Sequence, residues 1–194
     1  MVQSTPIDDV KPDLRREALA RRDALSADER AAAAEAIAAR PFPVEIKPGV
    51  VSGFSPMRTE INPLPLMRKL ATAGAKLALP VVVGRGKPLL MRAWNFGDPL
   101  VRGVWGIRQP TAEAPEVAPD ILLVPLTAFD RHGHRIGYGA GYYDITIAKL
   151  RALKSIVAIG LAFAVQEVSE VPTTPRDARL DLVLTEREVI DFRV

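Results

Sequence analysis

The chain has 194 residues and no cysteine. Disulfides, thiolate metal sites and cysteine nucleophiles are therefore excluded, and any metal must take oxygen or imidazole ligands. Imidazole is itself scarce. His132 and His134 are the 2 histidines, they share one polar turn, and no metal is assigned to them. Aromatic residues make up only 6% of the chain, and 26 basic residues nearly cancel 23 acidic ones, for a formal charge of +3. Neither the stacking aromatics nor the concentrated basic face of a nucleic-acid binder is present, so no nucleic-acid partner is expected. Long hydrophobic runs are missing too: no window approaches the roughly 20 apolar residues of a membrane span. The first residues, Met1 to Asp9, lack the basic start and apolar stretch of a signal peptide. A soluble cytoplasmic protein with no membrane partner is the expectation, and a monomer is the default.

What is abundant is core material. With 48% hydrophobic residues, the length suits one domain, expected over residues 11–194 behind a flexible segment 1–10. Lys11 to Leu25 places Leu14, Ala18 and Leu25 on one helical face and charges on the other. Ser26-Ala-Asp-Glu29 is a capping-box pattern that opens a second helix through about Ala39, and Pro41 and Pro43 stop it. Short apolar runs then alternate with helical stretches. Strands are expected at Gly49–Phe54, Lys76–Val83, Leu89–Trp94, Asp120–Val124, Ile156–Leu161 and Leu180–Leu184, with Lys87 to Trp94 forming a hairpin beside Val81 to Val83. A crossover helix over Asn62–Gly74 and another helix after Gly141 complete the pattern. Near-continuous apolar strands between helices point to a mainly parallel three-layer α/β sheet.

The strongest local signal is the run Leu122 to Asp144, in which a strand leads through a turn into Gly137, Gly139 and Gly141 and then a helix. Glycines let successive amides converge on an oxyanion, and a helix start adds unpaired N–H groups and positive potential. Arg135 could add a charge-assisted contact. The Gly-x-Gly-x-Gly spacing matches neither the dinucleotide fingerprint nor the Walker A loop, and a structural turn is the alternative. Asp144 and Asp177 would suit magnesium if they meet beside phosphates, although a helix-capping aspartate is the commoner role. Tyr142 and Tyr143 could pack on a ligand ring or anchor the core. Phe54 to Glu60 leaves the carboxyl edge of the first strand, where open α/β sheets place ligands, so Glu60 is either a contact to substrate donors or a solvated cap of the next helix. Trp105, between Gly103 and Gly106, is an apolar wall or a buried structural residue. Basic residues such as those of Lys11 to Arg22 are read as mostly solvated.

Together these segments resemble the 5-formyltetrahydrofolate cyclo-ligase family, also called methenyltetrahydrofolate synthetases. The resemblance rests on Lys11-x-x-x-Arg15 with Ser-x-x-Glu-Arg30, Phe54-Ser-Pro-Met with Glu60-Ile, Gly74 with Leu-Pro80, Trp105-Gly-Ile with Pro110, and Pro125-x-x-Ala-Phe-Asp130 running into Gly-x-Arg135-x-Gly-x-Gly-x-Gly-Tyr-Tyr-Asp144. It implies a three-layer α/β/α, Rossmann-like single domain of the NagB/RpiA/CoA transferase-like kind. It also implies ATP- and magnesium-dependent closure of 5-formyltetrahydrofolate to 5,10-methenyltetrahydrofolate, with ADP and phosphate released through a phosphorylated formyl (imidate phosphate) intermediate. Carried over by position, ATP would meet Lys11, Arg15, Arg135, Ile136, Gly137, Tyr138, Gly139, Ala140, Gly141 and Tyr142. Folate would meet Ser55, Glu60, Trp105 and the stretch Tyr138, Gly139, Ala140, Gly141, Tyr142. Asp144 and Asp177 would hold Mg2+, and Arg135 and Asp144 would stand at the chemistry. The chain departs from the pattern at Ala140, where relatives often carry glycine or lysine, and at Arg176, where bacterial relatives often have histidine. A diverged paralogue acting on another formylated or pterin substrate, and a noncatalytic nucleotide- or folate-binding regulator, are the competing readings.

Overall fold

The computed structural model describes residues 7–46 and 49–193. The part of the expected N-terminal segment numbered 1–6 lies outside the described residues. Helix α1 (Ile7–Asp23) starts ahead of the Lys11 expected and carries Pro12 within it. Helix α2 (Ala27–Ala39) has the capping box foreseen: Glu29 N–H donates to Ser26 Oγ, and the Ser26 amide donates to Glu29 Oε2.

Strand β1 (Val50–Ser52), helix α3 (Leu64–Thr72) and strand β2 (Lys76–Val81) form the first crossover unit. Strand β3 (Leu90–Ala93) returns antiparallel to β2, pairing Leu79 with Arg92, as the hairpin expectation requires. Two small hairpins were not anticipated: β4 (Leu100–Arg102) with β5 (Arg108–Pro110), and β7 (Ala128–Phe129) with β8 (Arg135–Ile136). Between the two hairpins lies β6 (Ile121–Pro125), and helix α4 (Tyr142–Leu153), β9 (Val157–Leu161), β10 (Leu182–Leu184) and β11 (Val189–Asp191) complete the chain. Runs of two or three residues that turn at once carry too little alternation to register as strands.

The main sheet has the order β11-β10-β9-β6-β1-β2-β3, parallel through its middle, with the antiparallel strands β11 and β3 at its edges. Side-chain alternation builds a core on each face. Ile121 and Leu123 point into a layer shared with α2 and α3, built on Ile37, Leu66, Met67 and Leu70. Leu122 and Val124 point into the opposite layer with Ile147 and Leu150 of α4. Strands covered on both faces need apolar residues at every position, which is why β6 reads as an unbroken run. Close contact of α3 with the end of β1 depends on Gly53, because a Cβ there would lie 2.1 Å from Sδ of the fully buried Met67.

From β1 the chain moves outward to β2, whereas from β6 it moves the other way to β9 and β10. The order therefore reverses between β1 and β6. Loops leaving the carboxyl ends of those two strands diverge there and leave a crevice, the usual ligand position in open α/β sheets.

Candidate active site

Two loops flank that reversal. One follows β1 and carries Ser55 to Glu60. The other follows β6, passes through the β7–β8 hairpin and delivers the glycine loop to the start of α4. Its root is tied down: Thr127 N–H and its hydroxyl both donate to Ile136 O, at 2.7 and 2.8 Å. The loop needs glycine at Gly139 (φ +100) and at Gly141 (φ +69), the residue that caps α4 in the left-handed region. Ala140 has no positive φ, so its side chain is accommodated without backbone strain.

Helix α1 lies against this loop. Leu14 and Ala18 pack with Ala128, Ile136 and Val171, and the same helical face carries charge. Lys11, Arg15, Ala18 and Arg22 follow the i, i+4, i+7, i+11 spacing of one stripe. The expectation that charges occupy the outer face is corrected here, because three cations lie on the docked face. Arg15 Nε donates to Gly137 O at 2.7 Å. Lys11 Nζ pairs with Asp177 Oδ2 at 2.6 Å. Arg22, expected among solvated residues, is 1% exposed; its Nε donates to Thr59 Oγ1 and its Nη1 to the Tyr138 hydroxyl, both at 3.0 Å.

Arg135 is buried, and its Nη2 donates to Asp144 Oδ1 at 2.8 Å, while its Nε is buried without a partner among the described residues. Burial pulls the guanidinium below its ordinary value, and the negative fields of Asp144 and Asp177 act against this. Asp144 and Asp177 thus both lie within the field of one arginine. Asp144 Oδ1 also accepts from the Ala178 amide, one residue beyond Asp177. Burial would raise the Asp177 carboxyl, but Lys11 and the Thr174 N–H outweigh it and hold the group below its ordinary value. Arg176 is exposed, and its amide donates to Thr174 Oγ1.

Glu60 faces the loop from the other side. It is buried, and α3 starts behind Pro63 with no side-chain cap, so Glu60 does not cap that helix. Its Oε2 accepts the Met57 N–H at 2.7 Å, whereas Oε1 is buried with no partner among the described residues. Burial pushes its carboxyl above the ordinary range, against the opposing pull of the Met57 N–H, Tyr138 and Arg22. Burial and then the Glu60 charge push the Tyr138 hydroxyl up to about 12. A buried carboxylate oxygen left unpaired is costly unless a ligand donor meets it.

Trp105 is 66% exposed, so it is not a buried structural residue. It holds φ 56 and sets its ring 5.9 Å from that of Tyr142. Ser55 donates its hydroxyl to Arg108 O at 2.5 Å, which ties the loop after β1 to β5. His134 Nδ1 lies 3.1 Å from the buried Asp130 Oδ2, a structural pairing within the β7–β8 turn.

Among the described residues no group of three or more His, Asp or Glu side chains forms a ready metal cage. The donor set suits magnesium in another way. Hydrogen bonds among the described residues fall on one oxygen of each carboxylate, Asp144 Oδ1 and Asp177 Oδ2. Magnesium commonly takes one or two carboxylates and completes its shell with phosphate and water oxygens.

Arg22 is the residue that reading for motifs passed over. Its signal was its place on the stripe of Lys11, Arg15 and Ala18.

Comparison with known proteins gives a consistent result. The model of the 5-formyltetrahydrofolate cyclo-ligase family matches residues 7–186. The 5-formyltetrahydrofolate cyclo-ligase of Escherichia coli K12 is 30% identical over 180 residues, spanning 89% of this chain and 98% of that one. That of Mycolicibacterium smegmatis is 31% identical over 189 residues, spanning 93% and 95%. The NMR structure of Aquifex aeolicus 5,10-methenyltetrahydrofolate synthetase aligns with a TM-score of 0.78 at 29% identity, covering 95% of this chain and 94% of that one.

Proposed function

The chain belongs to the 5-formyltetrahydrofolate cyclo-ligase family, and from that premise we propose that it closes 5-formyltetrahydrofolate to 5,10-methenyltetrahydrofolate with ATP, releasing ADP and phosphate. The observation that carries this reading is the gathering of Arg15, Arg135 and the half-paired acid Glu60 at one glycine loop, with Lys11 paired to Asp177, whose field reaches Arg135.

Cyclisation needs the formyl oxygen to become a leaving group. Its attack on the γ-phosphate forms an imidate phosphate and releases ADP. The nitrogen at position 10 then adds to the activated carbon and gives up its proton to solvent, and phosphate departs with the former formyl oxygen. No protein nucleophile enters, so the chain's task is alignment and charge neutralisation. Lys11, Arg15 and Arg135 stand where phosphate charge would be gathered, with the buried Nε of Arg135 available as a donor. Asp144 and Asp177 would hold magnesium together with phosphate oxygens, and the ion would supply further neutralisation of the transferred group. Glu60 offers an unpaired acceptor to N–H donors of the folate ring system, and Tyr142 with Trp105 offers an apolar wall.

The direct test is purified protein with 5-formyltetrahydrofolate, ATP and magnesium, following methenyl absorbance and phosphate release together. Matched, ATP-dependent appearance of both is expected. Binding of both ligands without turnover would refute the catalytic reading and support a regulator, and turnover of another formylated pterin alone would support a diverged paralogue.

A further inference from the structure

Arg22 is unusual for its position. It is among the largest fully buried side chains, in company otherwise made up of residues such as Phe129, Phe163 and Leu66. Taking a guanidinium out of water is costly, and an apolar residue of similar volume is often the more stable occupant of such a site. Its contacts go to two segments flanking the crevice. Thr59, adjacent to Glu60, accepts from Nε at 3.0 Å, and Tyr138 of the glycine loop accepts from Nη1 at 3.0 Å, with Cζ lying 5.9 Å from the phenol ring. Thr59 in turn donates to Asp23, which follows Arg22 on α1.

We infer that Arg22 is a positioning residue for the folate subsite, clamping Tyr138 of the glycine loop to Thr59 and so fixing where the Glu60 carboxylate stands. The inference rests on the functional reading above. Arg22 reaches substrate only through these neighbours. The charged and titratable groups around it are Asp23 at 4.0 Å on its own helix, Glu60 from the loop after β1, and Tyr138 from the glycine loop. Tyr143, from α4, stands in the fields of both Glu60 and Arg135. Among these, Arg22 is the cation that favours the ionised form of both Glu60 and Tyr138. Because Lys11 and Arg15 share its stripe, one helix supports both halves of the site.

The test combines Arg22→Met, which keeps length without charge, with Tyr138→Phe and Thr59→Val, which each remove one arm of the clamp. With Arg22→Met, the KM for 5-formyltetrahydrofolate and its ATP-free dissociation constant are expected to rise about tenfold to a hundredfold, with the KM for ATP unchanged. Adding Tyr138→Phe to Arg22→Met should cost less than it does alone. In the ligand-free protein, amide exchange over residues 137–141 should accelerate in all three variants. A merely structural role would instead lower the active fraction, and hence kcat, with both KM values kept. That result, or unchanged exchange, or ATP and folate constants rising together, overturns the inference. If Arg22→Met fails to fold, Thr59→Val, at a residue outside the expected ligand contacts, decides the question by the same readouts. Exchange is measured without turnover, so a wild-type protein lacking methenyl formation would refute the functional reading separately.

Discussion

Glu60→Gln should move binding and stability in opposite directions. In the free protein the carboxylate has one oxygen paired to the Met57 N–H and the other buried without a partner, and burial dominates its raised pKa. A raised pKa means that the fold binds a proton more tightly than the unfolded chain does, and this balance already includes the attraction of Arg22. The folded state therefore prefers a neutral group here, and glutamine mimics it at nearly the same size. The sign follows from linkage: the wild type loses stability as pH rises from the ordinary glutamate value, about 4.3, to the higher folded value, and the variant lacks this loss. The variant's Tm should equal that of the wild type at low pH and match or exceed it at neutral pH. Folate binding should fall, because a charge-assisted hydrogen bond is worth about 1.5–3 kcal/mol. That is about tenfold to a hundredfold in the folate KM, with the ATP KM unchanged. Differential scanning fluorimetry across pH and initial rates with each substrate varied provide the two readouts. A variant that loses Tm at neutral pH, or keeps its folate KM, would refute the reasoning.

Other perturbations separate the parts of the site. Lys11→Met should raise the KM for ATP about tenfold or more while leaving that for folate in place, since a lost ammonium–phosphate contact is charge-assisted; initial rates with ATP varied would show it. Asp144→Asn should raise the magnesium concentration needed for half-maximal rate, which a metal titration at saturating ATP would measure, and an unchanged requirement would remove Asp144 from the metal set. Gly53→Ala, by forcing a methyl group toward Met67, should cost about 1–3 kcal/mol of stability. Its Tm should then fall by about 2–4 °C per kcal/mol, with both KM values preserved.

The apolar runs of β6, β9 and β10 were legible because a strand buried on both faces has no polar positions to blur its pattern. The capping box was legible because Ser26 and Glu29, three residues apart, satisfy one another locally. The β4–β5 and β7–β8 hairpins were not legible. Their existence depends on what each short segment meets across the chain, as when Ser55 binds Arg108 O or Thr127 closes on Ile136.

The site divides in the same way. Residue type and spacing marked the glycine loop, Glu60 and the two aspartates as candidates, whereas Lys11 and Arg15 entered only through the family resemblance, because local patterning left them among solvated charges. Only the tertiary structure decided how Asp144 and Asp177 relate, through the shared field of Arg135 and the Ala178 amide. It also decided that Glu60 is a half-paired buried acid rather than a solvated cap, and that Arg22 is enclosed rather than hydrated. Burial and pairing arise from segments far apart in sequence, Arg22 with Tyr138 or Lys11 with Asp177, and no local pattern encodes a distance of that kind. The amino-acid order therefore determined which groups were available for the chemistry, and the reversal of strand order between β1 and β6 determined which of them met.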